Sequence, residues 1–373
     1  MADRQILTDD DGTTGELPGT GAETAADLPF GAPIGAEAAR ESAREATATA
    51  AVAAASAAAV KRGGRFRGLL PRRSGKLVTG IVIVAAITLF GLLGPLIAQP
   101  PRDSNNPALL PPGPEHWLGT TKLGYDVFAQ LAYGTQGSLF IGLVAGLVAL
   151  VLGVLFGVFA GYFGGIADEV LTLITNIVLV IPGLPVVMVI AAYVQNADGL
   201  GPLARSSLLV ALVLGITSWA GSAVVLRAQA RSLRTREYVA AARVAGERPA
   251  RIIFVEILPN LVPLLAAQFI FGVILAVLGE AGLSYLGLGP TGSITLGTML
   301  NDAQTGQAVG TGAWWWFVPP GAIIAALGAG LSLINFAIDE VVNPKLRLAP
   351  ENAKRQRKAT KAGKGVADSG AFA

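Results

Sequence analysis

Few residues of this 373-residue chain carry reactive side chains, and those few are not spaced to work together. There is no cysteine, which excludes disulfides, thiol nucleophiles and thiolate-held clusters. The single histidine, His116, cannot build a multi-histidine metal site alone and reads as a solvated or capping residue. No phosphate-cradling loop is present, because Gly75-Lys76 lacks the earlier glycine of that motif. No Ser/His/Asp set or histidine pair exists either, so the chain is not expected to hydrolyse ATP or any other substrate. The informative polar residues are of two other kinds: an acid inside an apolar run, Glu280, and an arginine-rich segment at 237–259.

Glu280 lies near the outer end of its apolar run. A carboxylate there is costly unless it faces a bundle, a cavity or the interface. It reads either as a pathway-lining or gating group, or as a helix-packing hydrogen bond close enough to the head groups to stay wet. Gln268 is a weaker case of the same kind, a polar residue able to bond between helices. Pro182, with Gly183 and Pro185, interrupts another run; proline removes a donor and kinks a helix. Such a break either lines a pathway, where water or protein covers the freed carbonyls, or is a plain kink.

Segment 237–259 is polar yet patterned. Ala240, Ala241, Ala242 and Ala245 give a small-residue face that fits a groove. Gly246 is expected to end that helix, and Pro249 suits the first turn of a second one. The second helix would point Arg248 and Arg251 to solvent, and Ile252, Ile253 and Phe254 toward a partner or the bundle. Leu258-Pro259 closes the segment, with Pro259 starting the next apolar helix. A rigid two-helix knob of this sort suits force transmission across an interface. The alternative is an ordinary arginine-rich loop.

These residues need a membrane-embedded scaffold. The chain is 52% hydrophobic and 14% charged, with a mean hydropathy of +0.57, whereas soluble domains carry about a quarter charged residues. Six apolar runs are long enough to cross a bilayer: 77–98, 138–163, 170–194, 207–226, 260–282 and 315–338. Seven basic residues lie within 61–76, seven arginines within 227–259, and eight Lys or Arg follow the sixth run. The alternating segments hold only Arg102, Lys122 and Arg205, so both termini and the 227–259 loop are expected to be cytoplasmic. Residues 1–60 are acidic, then Ala-rich, and read as a disordered tail; 61–76 is a basic juxtamembrane segment and 348–373 a basic disordered tail. The acidic start does not fit a cleaved signal, so 77–98 is expected to remain as an anchor. Residues 99–137 read as an extracytoplasmic segment, with Trp117 and Tyr125 as interfacial anchors, and Trp314-Trp315-Trp316 as part of an outer aromatic belt. Gly142 and Gly146, then Gly153, Gly157 and Gly161, form small-xxx-small rows for close helix packing. Residues 287–312 read as a Gly/Thr-rich loop.

The segment around Gly246 resembles the cytoplasmic coupling loop of binding-protein-dependent ABC importer permeases. The family pattern is Glu-Ala-Ala, three residues, Gly, nine residues, Ile-x-Leu-Pro. Ala241, Ala242, Gly246, Leu258 and Pro259 fall in register, while Ala240 replaces the usual Glu and Glu256 the usual Ile. The stretches His116–Thr120 with Leu123–Val127, Ala160–Gly165 with Asp168-Glu169, Pro182–Leu184, Arg236–Val239 and Gly279–Gly289 are similar to the dipeptide/oligopeptide/nickel branch, and to its second, C-type permease, with Tyr125 standing where the branch usually has Arg. The likeness runs from about residue 75 to 347. It implies an all-α polytopic bundle of six transmembrane helices of the type I importer class, with a permease core at 138–347, in the bacterial cytoplasmic membrane. It implies a homologous second permease, two cytoplasmic ATPases carrying ATP and Mg, and an extracytoplasmic peptide-binding lipoprotein, with lipid around the chain and no nucleic acid. No cofactor is expected on this chain itself. The implied coupling residues are Ala241, Ala242, Gly246, Glu247, Arg248, Pro249, Leu258 and Pro259; Glu280, Pro182 and Gln268 are the pathway-or-packing set. The implied cargo is a di- or oligopeptide, with nickel or another small solute as the alternative. A secondary transporter is the competing class, and it would show inverted repeats and mid-bilayer acids, neither of which is seen.

Overall fold

The computed structural model describes residues 75–195, 206–290 and 292–342; the readings of the 1–60 and 348–373 tails lie outside them. The described residues form helices α1 (Gly75–Ile97), α2 (Val127–Phe163), α3 (Gly165–Val180), α4 (Gly183–Gln195), α5 (Ser207–Arg234), α6 (Glu237–Val244), α7 (Pro249–Tyr285), α8 (Leu296–Thr305) and α9 (Trp314–Val342). Extended pairing among them is limited to one isolated antiparallel bridge, Thr120 with Asp126. Helices α1, α2, α5, α7 and α9 are each long and apolar enough to cross a membrane. The pair α3–α4, bent by 80° at its break, is long and apolar enough only when taken together, and counted as one span it gives a sixth.

That break is sharper than a kinked helix. Ile181 is extended, at φ −71° and ψ 123°, as a residue before proline prefers. Pro182 O then accepts from Val186 N, restarting the helix in a new direction.

Helix α2 begins at Val127, well before the apolar run at 138. Asp126 caps it, its side chain accepting from Ala129 N at 2.8 Å. The extra turns bury Val127, Leu131 and Thr135 against neighbouring protein rather than lipid, so polar residues are tolerated there and hydropathy alone misses them. His116 is not solvated: its Nδ1 lies 2.7 Å from Asp126 Oδ2, holding the cap to the outer segment.

Glycines set the closest approaches, and they do so toward two partners. A Cβ on Gly142 or Gly146 would meet Val277 or Val273 of α7. On Gly157 or Gly161 it would meet the backbone carbonyl of Ala223 or Arg227 of α5. One small-residue row therefore serves α7 and the next serves α5, with α2 between them.

Two outer features differ from the sequence reading. Residues 287–312 are not a simple loop, since they contain α8, opened by a Thr295/Thr298 capping box and buried through Leu296, Met299 and Ala303. The three tryptophans do not form one belt. Trp314 is exposed, Trp315 donates from Nε1 to Thr120 O at 3.2 Å, and Trp316 is buried in the core beside α8.

Candidate functional site

Helix α6 and the start of α7 form a compact projection at one end of the bundle. Its foundation is a cluster of Val158, Tyr162, Leu226, Ala230, Val239, Ile252, Ile253, Ile257 and Leu261. Val239 is the only α6 residue fully enclosed, and burying a valine stabilises by about 1.5–3 kcal/mol. Arg243 adds a cation–π contact, its guanidinium 5.2 Å from the centre of the Tyr162 ring. Glu237 in the first turn and Arg243 in the last complement the helix dipole.

The corner is a left-handed helix stop. Gly246 has φ +78°. Its N–H donates to Arg243 O, and Glu247 N–H donates to Ala242 O, the paired bonds of a Schellman turn. A Cβ at Gly246 would meet open space, so only backbone conformation requires glycine there within this chain. Arg248 is the extended residue before Pro249, which takes the first helical position. Glu247 pairs with Arg251 across one turn.

Seen from outside, the projection presents a small, apolar surface. Ala240, Ala241, Ala245 and Gly246 are exposed, and Val244 is 91% exposed. Ala242 is half-buried behind them. Lost solvent pushes the Tyr238 phenol up, Arg236 pulls it down and Glu256 raises it, so the ring stays neutral at physiological pH.

The start of α7 settles how the residues after Pro249 are shared between bundle and surface. Ile252 and Ile253 take the bundle-facing alternative and are buried, whereas Phe254 points away from the bundle and is 61% exposed. Residues Ile252–Ile257 form a π turn, which widens the helix and carries Phe254 and Val255 outward while Ile257 stays buried. Pro259 stands in the first turn of the α-helical stretch Leu258–Tyr285, as the sequence reading expects. That stretch follows the π turn without a gap, so α7 spans Pro249 to Tyr285 with Pro263 also inside it. Leu258 is half-buried and Pro259 exposed within that continuous rod.

Glu280, Pro182 and Gln268 occupy three separate places. Pro182 is exposed at the α3–α4 break, and Gln268 is half-buried midway along α7. Glu280 is 0% exposed, with Ser138 Oγ donating at 3.0 Å and Ser284 Oγ at 2.6 Å. It is not wet: α8, read from sequence as loop, closes over it.

Sequence reasoning missed Asp168, whose carboxylate accepts two bonds from Arg227 at 2.5 and 2.9 Å, with Arg231 at 4.0 Å. This fork fastens the first turn of α3 to the last turns of α5. The signal available was an acid in the short 164–169 turn and the arginines Arg227, Arg231 and Arg234, spaced four and three apart on one helix.

The bundle and its projection define a multi-pass inner-membrane transport component. The chain belongs to the family described as binding-protein-dependent transport system inner membrane component, whose model matches residues 153–348. It is 32% identical to the oligopeptide transport system permease protein OppC of Bacillus subtilis over 283 residues, 75% of this chain and 89% of that protein. It is 32% identical to the dipeptide transport system permease protein DppC of Bacillus subtilis over 274 residues, 72% and 82% of the two chains. The OppC protein of Mycobacterium tuberculosis is likewise 32% identical over 287 residues, 75% and 95% of the two chains.

Proposed function

We propose that this chain is the C-type permease subunit of an ATP-driven importer that moves di- or oligopeptides into the cell. An extracytoplasmic binding lipoprotein delivers the cargo to this subunit and a homologous second permease. Two separate cytoplasmic ATPases hold ATP and Mg and perform the hydrolysis. The observation that carries the reading is the joining of α6 to α7. The exposed Ala240–Gly246 surface is fixed to the bundle by Val239, and its corner leads directly into a 37-residue helix that traverses the bundle. A push on the projection therefore reaches the far end of α7 along one continuous helical element, through the π turn at Ile252–Ile257. Ala241, Ala242 and Gly246 would lie in a cleft of one ATPase, with Glu247, Arg248 and Pro249 keeping the corner rigid and Leu258-Pro259 inside the rod. Two conformations become coupled to ATP only if the ATPase contacts this surface differently in each.

The test is uptake and hydrolysis measured together in the reconstituted complex. Gly246→Val adds a branched side chain and forbids φ +78°, so it should assemble in the membrane, keep ATPase activity and lose at least about tenfold in uptake, the effect of about 1.4 kcal/mol of lost coupling. Gly246→Asn tolerates the left-handed region and should retain more uptake than Gly246→Val. Wild-type uptake by Gly246→Val would remove the coupling role from this surface.

A further inference from the structure

We propose that Glu280 is a positioning residue, the anchor of a catch that holds α8 closed over the outer end of the bundle. This inference rests on the importer reading for its purpose in transport, but its geometry stands independently. The carboxylate is fully enclosed, and among the described residues no Lys, Arg or His forms an ion pair with it. It is held by hydroxyls. Ser284, one turn further along α7, donates to Oε1, and Ser138 of α2 donates to Oε2. The Ser138 oxygen in turn accepts the N–H of Leu296 at 3.0 Å. Leu296 is the first residue of α8, so this N–H is one of the four that a helix start leaves without an internal partner. The relay thus runs from the α8 backbone through Ser138 to Glu280, tying three elements at one point.

The surroundings make α8 a separable piece that has been clamped. Its first turn sits directly on α7, since a Cβ on Gly297 would lie 2.7 Å from Ser284 Cβ and 2.8 Å from Ala281 Cα. On the other side, a Cβ on Gly137 would lie against the carbonyl oxygen of Ile294. The links flanking α8 contain Gly287 and Gly312, at φ +82° and +72°, where the chain can change direction at low cost. Packing alone would be served by a leucine in place of Glu280. A buried polar group costs free energy unless its hydrogen bonds are made, so Glu280 favours the one arrangement in which Ser138 and Ser284 reach it. That is the behaviour of a catch.

Accessibility of α8 tests this. The chain has no cysteine, so Met299→Cys, a fully buried α8 position, is a unique label site. The assembled transporter is placed in open membrane sheets, where a hydrophilic maleimide reaches both faces. The introduced thiol should react slowly when Glu280 is present. Glu280→Leu should speed labelling by about tenfold or more, the scale of leaving one buried hydrogen-bonding group without its partner. Glu280→Gln, which keeps the shape and one acceptor, should restore most of the slow rate. Should Glu280→Leu fail to reach the membrane, Ser138→Ala cuts the same relay with the carboxylate intact and should give the same acceleration. Unchanged labelling in whichever of these two variants assembles would overturn the proposal, as would acceleration that Glu280→Gln does not reverse. Labelling does not depend on cargo, so a wrong peptide assignment would appear in uptake assays and leave this readout unaffected.

Discussion

Asp168 and Arg227 show how much one pair can decide in this bundle. The guanidinium grips both carboxylate oxygens, and both side chains are largely withdrawn from solvent. Charge-assisted hydrogen bonds of this type contribute about 1.5–3 kcal/mol. Asp168→Asn and Arg227→Gln should therefore each lower the midpoint of thermal unfolding in detergent, and the double variant should cost less than the two added together. Strict additivity in that cycle would show that the two side chains stabilise the bundle separately. Gly164, at φ +68° and facing Arg234, lets the chain reverse tightly enough to bring the pair together.

At the scale of elements, glycine decides which helices touch. On Gly157 a Cβ would press on the Ala223 carbonyl oxygen and lie 3.0 Å from the Ala223 Cα, backbone atoms that cannot rotate away. Gly157→Ala should thus force α2 and α5 apart and destabilise by about 1–3 kcal/mol, the usual cost of overpacking. Gly221 in α5 has no atom within 4 Å of such a Cβ and no left-handed φ. Gly221→Ala should be neutral or slightly stabilising in the same unfolding assay, because alanine is the better helix former. If the two substitutions behaved alike, the α2–α5 contact would not be set by these glycines. The same closeness explains why α2, α5 and α7 pack so tightly with few polar contacts: small residues let backbones approach where lipid offers no hydrophobic drive.

At the scale of the whole molecule, sidedness comes from charge, because helix geometry does not supply it. The arginine-rich end is proposed to face the cytoplasm, from the bias of basic residues. Val244 on the projection and Val309 beyond α8 are 91% and 76% exposed and lie on opposite sides of the bundle in that arrangement. As single cysteines in right-side-out vesicles, Val309→Cys should react with an impermeant maleimide and Val244→Cys only after the membrane is opened. Labelling of Val244→Cys in sealed vesicles would reverse the proposed orientation. With the orientation as proposed, α7 joins the projection at one end to Glu280 near the other, so one continuous helix connects the two places.

What the residues determined alone is local and periodic. Gly246 suits a left-handed backbone, Pro249 suits a first helical turn and Pro182 disfavours the helical region for its predecessor, and each follows from the covalent structure of one or two residues. The long apolar runs likewise announce spans, because a bilayer reads summed hydropathy along the chain. Their true ends were not legible. α2 starts at Val127 because its first turns are covered by protein, and hydropathy cannot tell protein cover from lipid. α8 was hidden for the same reason: its short pattern of Leu296, Met299 and Ala303 gains stability only from α2, α7 and α9 around it. Glu280 shows the limit most clearly. Its place on α7 and its neighbour Ser284 one turn on were visible in sequence, but its other partner, Ser138, lies 142 residues away on α2 and reaches the hidden start of α8 through the Leu296 N–H. Only the tertiary fold brings them together, because hydrogen bonds are short-ranged and chain separation carries no information about which distant residues will meet.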